Sequence, residues 1–421
     1  KLKNTIKHYD WGSPDYIPRL LGTGGQGLPW AELWMGVHPG GPSETEFRGK
    51  PLSLAELVGG DPEAFLGEKA AEQFGALPFL FKFLAAAKPL SIQAHPNREQ
   101  ARQGFDRENR EGIAINAPNR NYKDPNHKPE ILCALSPFAA MCGFREPGEI
   151  RRGLARFLNG ASPSLRQGMS PLLQALAGET AGGTAGAVSR VLRNFFSALF
   201  TLSARTRQEL TGYIQTLGAG AAAKTGAETG KAVNKYMAVF AEHHPGDPAI
   251  IAPLYLNLLE LRPGEAVYLK AGVLHAYIEG FAVELMANSD NVLRGGLTPK
   301  HIDLAELMGI MDFSPHRPEI QSPGESAPLW YSYAAPCGEF SLSVMNSRDE
   351  ERPFPGAGPA ILAISRGRAR FFTGEKTVNL SPGESVFIPA RNPGEQLSYS
   401  GAFTAYVAAL PVSGGGAAEA W

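Results

Sequence analysis

The chain has 421 residues, more than one ordinary domain of roughly 100 to 200 residues, so we expect two or three modules. Its 40 basic and 41 acidic side chains give a formal net charge of -1, which excludes the strong positive field that attracts nucleic acids or anionic membranes. The 48 glycines and 34 prolines make up about a fifth of the chain, against a usual share of roughly 12%, which is typical of a turn-rich β-protein.

The cysteines indicate a reducing compartment. Cys133, Cys142 and Cys337 are odd in number and widely spaced, which argues against a disulfide framework or a cysteine zinc knuckle. No segment approaches the roughly 18 consecutive apolar residues that a membrane span requires. The sequence therefore predicts a cytoplasmic protein with neither a membrane nor a nucleic-acid partner.

Residues 1–146 predict short strands, with some helix around 53–74, because brief apolar runs alternate with turn residues. From 147 to 249 apolar residues recur at helical spacing, which predicts an inserted α-helical domain. An Ala/Gly-rich stretch at 218–230 is typical of a mobile connection between helices. Strands are predicted again from Leu254 onward.

Strand alternation in 90–96 (LSIQAHP) directs Ser91, Gln93 and His95 to one face and Ile92 and Ala94 to the other. Such a strand usually turns its polar face to solvent. The apolar strand before it and the Pro-Asn turn after it favour an enclosed position instead. A buried glutamine and histidine would then need partners.

A metal ion would be such a partner, and two further candidate ligands lie downstream, one in the segment 122–130, which contains His127 and Glu130, and one at His275 in 271–277. Two neutral imidazoles, one carboxylate and one amide oxygen suit Zn²⁺, with Fe²⁺ or Mn²⁺ as alternatives. Spacing alone supports this set weakly, because only Gln93 and His95 are close in the chain.

Two acids and two cations surround an Asn/Ser/Gly-rich loop downstream: Glu284, Asp290, Arg294 and Lys300. Solvated surface charge is one interpretation of each. In the functional interpretation, the glycines that follow Arg294 let the backbone approach a ligand, and its planar guanidinium projects toward an anionic substrate. Lys128 would place another cation beside the metal.

Two segments form a weak internal repeat. Residues 261–271 (LRPGEAVYLKA) align without gaps on 380–390 (LSPGESVFIPA), with six of eleven positions identical. The first copy continues to His275, whereas the second has Gly394 at the matching position. The repeat predicts two related β-modules, of which one kept a functional histidine. Chance similarity between common β-turns is the alternative.

Six motifs, in this order, resemble type I mannose-6-phosphate isomerases, also called phosphomannose isomerases. They are 9–13 (YDWGS), 31–36 (AELWMG), 90–97 (LSIQAHPN), 122–130 (YKDPNHKPE), 272–277 (GVLHAY) and 288–300 (NSDNVLRGGLTPK). The resemblance implies a mainly β, cupin or jelly-roll fold with an inserted α-helical domain. The catalytic cupin domain would comprise 1–146 and 250–324, with the helical insert at 147–249 and a degenerate cupin-like domain at 325–421. We expect this last domain to stabilise the protein without contributing catalytic residues.

The resemblance also implies the site. One Zn²⁺ per chain would be held by Gln93, His95, Glu130 and His275. Arg294 is implied as a catalytic residue, and Lys128 as a residue that helps in the active site, with Glu284 and Asp290 as further catalytic candidates. The candidates for substrate binding are Ser91, His127, Tyr277 and Lys300.

The implied activity is the interconversion of D-mannose 6-phosphate and D-fructose 6-phosphate through a cis-enediol, by a monomeric cytoplasmic enzyme of mannose metabolism that supplies GDP-mannose. A cupin Fe²⁺ oxygenase and a non-catalytic sugar-binding cupin are the alternatives. The additional ligand Gln93 and the cationic surroundings argue against the oxygenase.

Overall fold

The computed structural model describes residues 1–25, 27–178, 184–220, 228–324, 328–356, 358–374, 376–390 and 396–411. Its strands, in chain order, are β1 Thr5–Lys7, β2 Glu32–Gly36, β3 Glu44–Phe47, β4 Lys50–Ser53, β5 Phe79–Ala86, β6 Ile92–Ala94, β7 Glu130–Ala134, β8 Phe138–Phe144, β9 Leu256–Leu261, β10 Ala266–Leu269, β11 His275–Ala287, β12 Leu293–Gly296, β13 Ile320–Gln321, β14 Trp330–Tyr333, β15 Ser341–Arg348, β16 Arg352–Pro353, β17 Ala360–Gly367, β18 Ala369–Thr373, β19 Lys376–Leu380, β20 Ser385–Ile388, β21 Ser398–Ser400 and β22 Ala402–Ala409.

Its α-helices are α1 Tyr16–Leu20, α2 Leu54–Gly60, α3 Pro62–Leu66, α4 Glu68–Phe74, α5 Arg98–Arg110, α6 Pro147–Leu158, α7 Pro163–Gly168, α8 Ser170–Ala175, α9 Ala185–Phe200, α10 Ala204–Gly220, α11 Glu228–His243, α12 Ala252–Tyr255 and α13 Leu304–Ile310. A 3-10 turn over Pro248–Ile251 precedes α12. Among the helices described, none is both long and apolar enough to cross a lipid bilayer.

The protein is rich in antiparallel sheet, as predicted. Eleven strands form two layers that share β11. One layer runs β1-β2-β5-β11-β7-β10-β13, and the other joins β12, β6, β11, β8 and β9. The C-terminal part forms a five-stranded sheet, β14-β15-β22-β17-β20, and a four-stranded sheet, β16-β21-β18-β19.

Strand β11 bends sharply and so brings its two halves together. Its first half pairs with β6 and β8, and its second half pairs with β5 and β7. The bend falls at Gly280, which has a positive φ of 129° and leaves no room for a Cβ beside Phe138. Tyr277 and Glu284, seven residues apart, are therefore hydrogen-bonded across the bend at 2.6 Å.

Helices α6 to α11 lie between β8 and β9, where apolar periodicity predicts them. Their apolar faces pack in one core with the sheet, where Phe144 contacts Phe196 and Tyr255. The Ala/Gly-rich stretch at 218–230 lies largely outside the described residues. Helix α5 was not predicted, because its sequence is mostly charged and has little apolar periodicity, although Asn97 and Gln100 form a capping box that signals its start.

The two repeat segments adopt the same local structure, a strand, a Pro-Gly turn and a second strand. Gly264 and Gly383 occupy matching positions with positive φ values of 89° and 80°. The glutamate that follows each glycine accepts a hydrogen bond from the backbone three residues before it, at 2.7 and 2.9 Å. Gly394, the counterpart of His275, lies outside the described residues.

The five-stranded C-terminal sheet packs against the layer that contains β5 and β7 through one shared apolar core. Tyr333 donates a hydrogen bond to the carbonyl of Gly264 at 2.8 Å, and Phe340 and Leu342 are fully buried in this core. The thiol of Cys133 contacts the hydroxyl of Tyr333. The C-terminal part is thus anchored directly on a strand that begins at a predicted metal ligand.

Candidate metal centre

Three predicted ligands meet inside the β-domain. The ligand atoms of His95, Glu130 and His275 all lie within 4.8 Å of one another, and the three side chains are buried. Nε2 of His95 lies 3.4 Å from one Glu130 oxygen, and Nε2 of His275 lies 3.3 Å from the other. His95 follows β6, while Glu130 and His275 begin β7 and β11. The folded sheet therefore brings together ligands that are far apart in the chain.

Gln93 joins this group through strand pairing. It lies directly opposite His275 in the pairing of β6 with β11, and its amide nitrogen is 3.3 Å from Nε2 of His275. Rotation of the amide by half a turn would present its oxygen instead. The predicted alternation is confirmed, since Ile92 and Ala94 are fully buried in the core on the opposite face.

Backbone carbonyls fix how both imidazoles present their nitrogens. Nδ1 of His95 lies 2.7 Å from the carbonyl oxygen of Asn291, and Nδ1 of His275 lies 2.9 Å from that of Val273. A proton on each Nδ1 satisfies these carbonyls and leaves the Nε2 lone pairs directed toward Glu130. The amide of Asn291 also bonds Lys123 and Asp124, so one residue orients a ligand and holds the loop before Glu130.

The protonation states suit a metal ion. Burial lowers the pKa of His95 to about 4, so its imidazole is neutral near pH 7. Burial alone would raise the pKa of Glu130, but the nearby Lys128 ammonium, 3.1 Å away, and the histidines outweigh it and hold that pKa well below its usual range. Nε2 of His95 and one Glu130 oxygen have no hydrogen-bond partner among the described residues. These buried groups fit Zn²⁺, which prefers this mixture of nitrogen and oxygen ligands.

A cleft of about 170 Å³ reaches this centre at Gln93 and Glu130, and its size suits a small metabolite better than a drug-sized ligand. Of the residues predicted from the sequence, the lining includes Gln93, Lys128, Glu130, Tyr277, Glu284 and Asp290. Asp290 is half-exposed and lies near His38, whose hydrogen bond holds the Asp290 pKa below its usual range.

The cleft wall also holds a buried charge network that was not predicted as such, which joins the catalytic candidate Glu284 to Lys82 and Glu32. The Lys82 ammonium lies between Glu284 and Glu32, at 2.5 and 3.1 Å, and Trp34 donates a hydrogen bond to Glu32 at 2.7 Å. Burial opposes the charge on Lys82, but the two carboxylates outweigh it and raise the pKa of Lys82. A lysine inside the apolar run of β5 was the available signal, since a buried lysine requires partners.

Arg294 and Lys300 lie close enough for their charges to interact, and both are outside the residues that line the cleft. Arg294 is opposite Gln93 in the pairing of β12 with β6, so the two side chains share a face of the sheet. Burial lowers the pKa of Lys300, and the charges of Arg294 and Lys123 lower it further. This concentration of positive charge would attract an anion. Ser91 is half-buried at the start of β6, outside the residues that line the cleft.

His127 points toward the C-terminal part of the chain. Its Nε2 lies 2.8 Å from a carboxylate oxygen of Glu339 and 3.0 Å from the guanidinium of Arg98. His127 is therefore not among the groups that line the cleft, and its role in substrate binding stays a prediction. Glu339 was missed because nothing in the sequence relates it to a loop 212 residues away.

Comparisons with known proteins agree along nearly the whole chain. A family model described as phosphomannose isomerase type I, catalytic domain, matches residues 1–147. The chain is 38% identical over 395 residues to the mannose-6-phosphate isomerase of Escherichia coli (strain K12), covering 93% of this chain and 94% of that protein. It is 33% identical over 417 residues to the mannose-6-phosphate isomerase of Homo sapiens, covering 92% and 93%. A zinc-bound crystal structure of a mannose 6-phosphate isomerase is similar with a TM-score of 0.83 and 35% identity, covering 98% of this chain and 99% of that one.

We predict that the purified protein binds one Zn²⁺ per chain and that His275→Ala loses most of it, because removal of one imidazole leaves a weaker site. The measurement is elemental analysis after dialysis against a zinc buffer. His243→Ala, which alters an exposed histidine on α11, is the matched control and should retain zinc. Two tightly held ions per chain, or equal zinc retention by both variants, would contradict the assignment.

Proposed function

The chain belongs to the type I phosphomannose isomerase family, and from this premise we propose that it is a zinc-dependent aldose–ketose isomerase that interconverts D-mannose 6-phosphate and D-fructose 6-phosphate. One observation carries the proposal. Two imidazoles and an ionised carboxylate meet in a buried group at a cleft walled by Lys82 and Lys128, and Nε2 of His95 and one Glu130 oxygen have no hydrogen-bond partner among the described residues. The oxygenase and sugar-binding alternatives are not favoured, because the matched relatives carry the isomerase name.

The reaction moves one proton between C2 and C1 and a second between O2 and O1 through a cis-enediol, so it needs no external oxidant or reductant. When bound, zinc would supply a Lewis acid that holds sugar oxygens and stabilises the negative charge of the enediolate. Gln93, His95, Glu130 and His275 would hold it. Lys82 stays protonated between its two carboxylates, so it is suited to stabilise an oxyanion in the cleft and unsuited to act as a base.

We propose that Asp290 takes the carbon-bound proton. Its pKa lies below the usual range, so it is ionised near pH 7, and its half-exposed carboxylate reaches the cleft. Both oxygens of Glu284 are already engaged, one with Lys82 and the other with the Tyr277 hydroxyl. Although burial raises the pKa of Glu284, we assign it to orienting these two side chains.

Lys300 is the proposed anchor for the substrate phosphate. The charges of Arg294 and Lys123 destabilise its ammonium, so a bound dianion would relieve their mutual repulsion. Arg294 is paired with Gln93 across β12 and β6, which supports a role in stabilising charge at the reacting carbons. Lys128 would balance the Glu130 carboxylate, and His127 and Ser91 would act at the edge of the site.

We also propose a domain organisation, an oligomeric state and a cellular location for the protein. The antiparallel layers and the matching Pro-Gly turns support two cupin-type modules, with the helical domain inserted in the first. The three buried ligands and the cleft are formed within a single chain, so a monomer would hold a complete site. The free cysteines, two of them buried, support a cytoplasmic location.

Proton transfer through an enediol predicts that the zinc-loaded enzyme, given fructose 6-phosphate in deuterated water, introduces deuterium at C2 of the mannose 6-phosphate formed. The reason is that the carbon-bound proton passes through a protein group that exchanges with solvent. Mass spectrometry and proton NMR of the product measure it, with zinc-stripped protein as the control. Unlabelled C1 and C2 after many turnovers would indicate a hydride shift instead.

Arg294→Ala should lower kcat by roughly 10²- to 10³-fold with little change in KM, as expected when a donor to a developing oxyanion is lost. Steady-state kinetics of the zinc-loaded variant checks this, and zinc content confirms that the site is intact. The alternative, in which Arg294 anchors the phosphate, predicts a strong rise in KM that Arg294→Lys largely restores. That second pattern would overturn the assigned role.

A further inference from the structure

The carboxylate of Glu339 contacts two separate segments of the chain, each of which carries a predicted metal ligand. Glu339 belongs to the C-terminal part of the chain, between β14 and β15, and its side chain is 7% exposed. One of its oxygens contacts both the guanidinium of Arg98 and Nε2 of His127, the latter at 2.8 Å. Arg98 begins helix α5 and His127 lies in the loop before β7, so this single oxygen joins two separate segments of the chain.

Each of the two segments carries a predicted metal ligand, at the same short distance along the chain from the residue that Glu339 contacts. Arg98 lies three residues after His95, and His127 lies three residues before Glu130. A proline stands within each interval, at 96 and at 129, and its fixed φ restricts how far the backbone can bend there. Little slack therefore separates the contacts of Glu339 from the ligands His95 and Glu130.

The position of Glu339 is itself rigid. The next residue, Phe340, is fully buried in the apolar core shared with the β-domain, and Tyr333 ties the preceding strand to Gly264. Burial by itself would raise the pKa of Glu339, but the hydrogen bond and charge of His127, together with Arg98, outweigh burial and lower it. The carboxylate is thus ionised, and it is held on a fixed support.

The loop before Glu130 has a second restraint, which is separate from Glu339. Asn291 bonds Lys123, Asp124 and Asn126, so it fixes the first part of this loop. Of the contacts described for His127, those with Glu339 and Arg98 are the side-chain ones. Nearer to Glu130, the carbonyl of Pro129 accepts a hydrogen bond from the backbone N–H of Ala287 at 3.1 Å, so the contact with Glu339 adds a side-chain restraint at His127 between two backbone ones.

We propose that Glu339 is a positioning residue, through which the C-terminal part of the chain holds the His95 and Glu130 segments in the spacing that zinc requires. This assigns the C-terminal part a role in the site beyond the stabilising one that the sequence suggested. The kinetic consequence rests on the proposed function, whereas the consequence for zinc retention does not. Without the contact of Glu339 with Arg98 and His127, the two segments move more freely, and assembling the ligands around the metal costs more conformational entropy.

The test uses the full-length, zinc-loaded chain and the isosteric variant Glu339→Gln. Transfer of zinc to an excess of a coloured chelator should become about tenfold faster, and kcat should fall by about tenfold with KM changed by less than about twofold, as for other outer partners of metal ligands. Glu350→Gln is the matched control, because it removes an exposed acid of the same C-terminal part that pairs with Arg352. It should behave like the wild-type protein.

Arg98→Gln provides a second variant that does not disturb the core, since the Arg98 side chain is 60% exposed. It should also make zinc transfer faster. The double variant should transfer zinc no faster than Glu339→Gln alone, because both changes break the same contact. Melting of the zinc-free proteins separates positioning from general stability. The proposal expects the zinc-free Glu339→Gln and Glu350→Gln proteins to melt at similar temperatures.

Zinc transfer from Glu339→Gln at the wild-type rate would overturn the proposal. Additive effects of Glu339→Gln and Arg98→Gln on the rate of zinc transfer would also overturn it. So would a zinc-free Glu339→Gln protein that melts well below zinc-free Glu350→Gln, because faster transfer would then reflect a general loss of stability. An inactive wild-type protein would instead overturn the proposed function. In that case, the rates of zinc transfer alone decide whether Glu339 is a positioning residue.

Discussion

The ionised carboxylate of Glu130 is the constraint on which the rest of the site depends. Burying such a charge is expensive unless positive charge or a metal ion compensates it. The protein provides an ammonium from Lys128 and two imidazoles whose Nε2 atoms face the carboxylate. An ion held among these groups would complete their bonding. The same requirement explains why backbone carbonyls fix both histidines, since an imidazole that presented an N–H to the metal could not be a ligand.

The bend in β11 makes this arrangement possible. Because the strand folds at Gly280, its first residue, His275, lies against Glu130, whose own backbone pairs with the far end of β11. The bend also joins Tyr277 to Glu284 and thereby connects the metal ligands to the buried Lys82. One glycine with a positive φ therefore positions the metal centre and the cationic wall of the cleft together.

The sequence predicted what is local and what resembles known motifs. The alternation in 90–96 placed Gln93 and His95 on one face, and the turn that is repeated near Gly264 and Gly383 has the same structure in both copies. The convergence of Glu130 and His275 on that strand followed from the family resemblance and not from spacing. The contact of Glu339 with His127 could not be predicted, because it depends on how separate sheets pack.

Anomalous diffraction at the zinc absorption edge, from crystals of the loaded protein, tests most directly whether a single zinc ion binds between His95, Glu130 and His275. The account predicts one peak per chain, at roughly 2.0 to 2.2 Å from Nε2 of each histidine and from a Glu130 oxygen, with the Gln93 amide facing it. A peak at another group of residues, or ligation through Nδ1 of either histidine, would contradict the account.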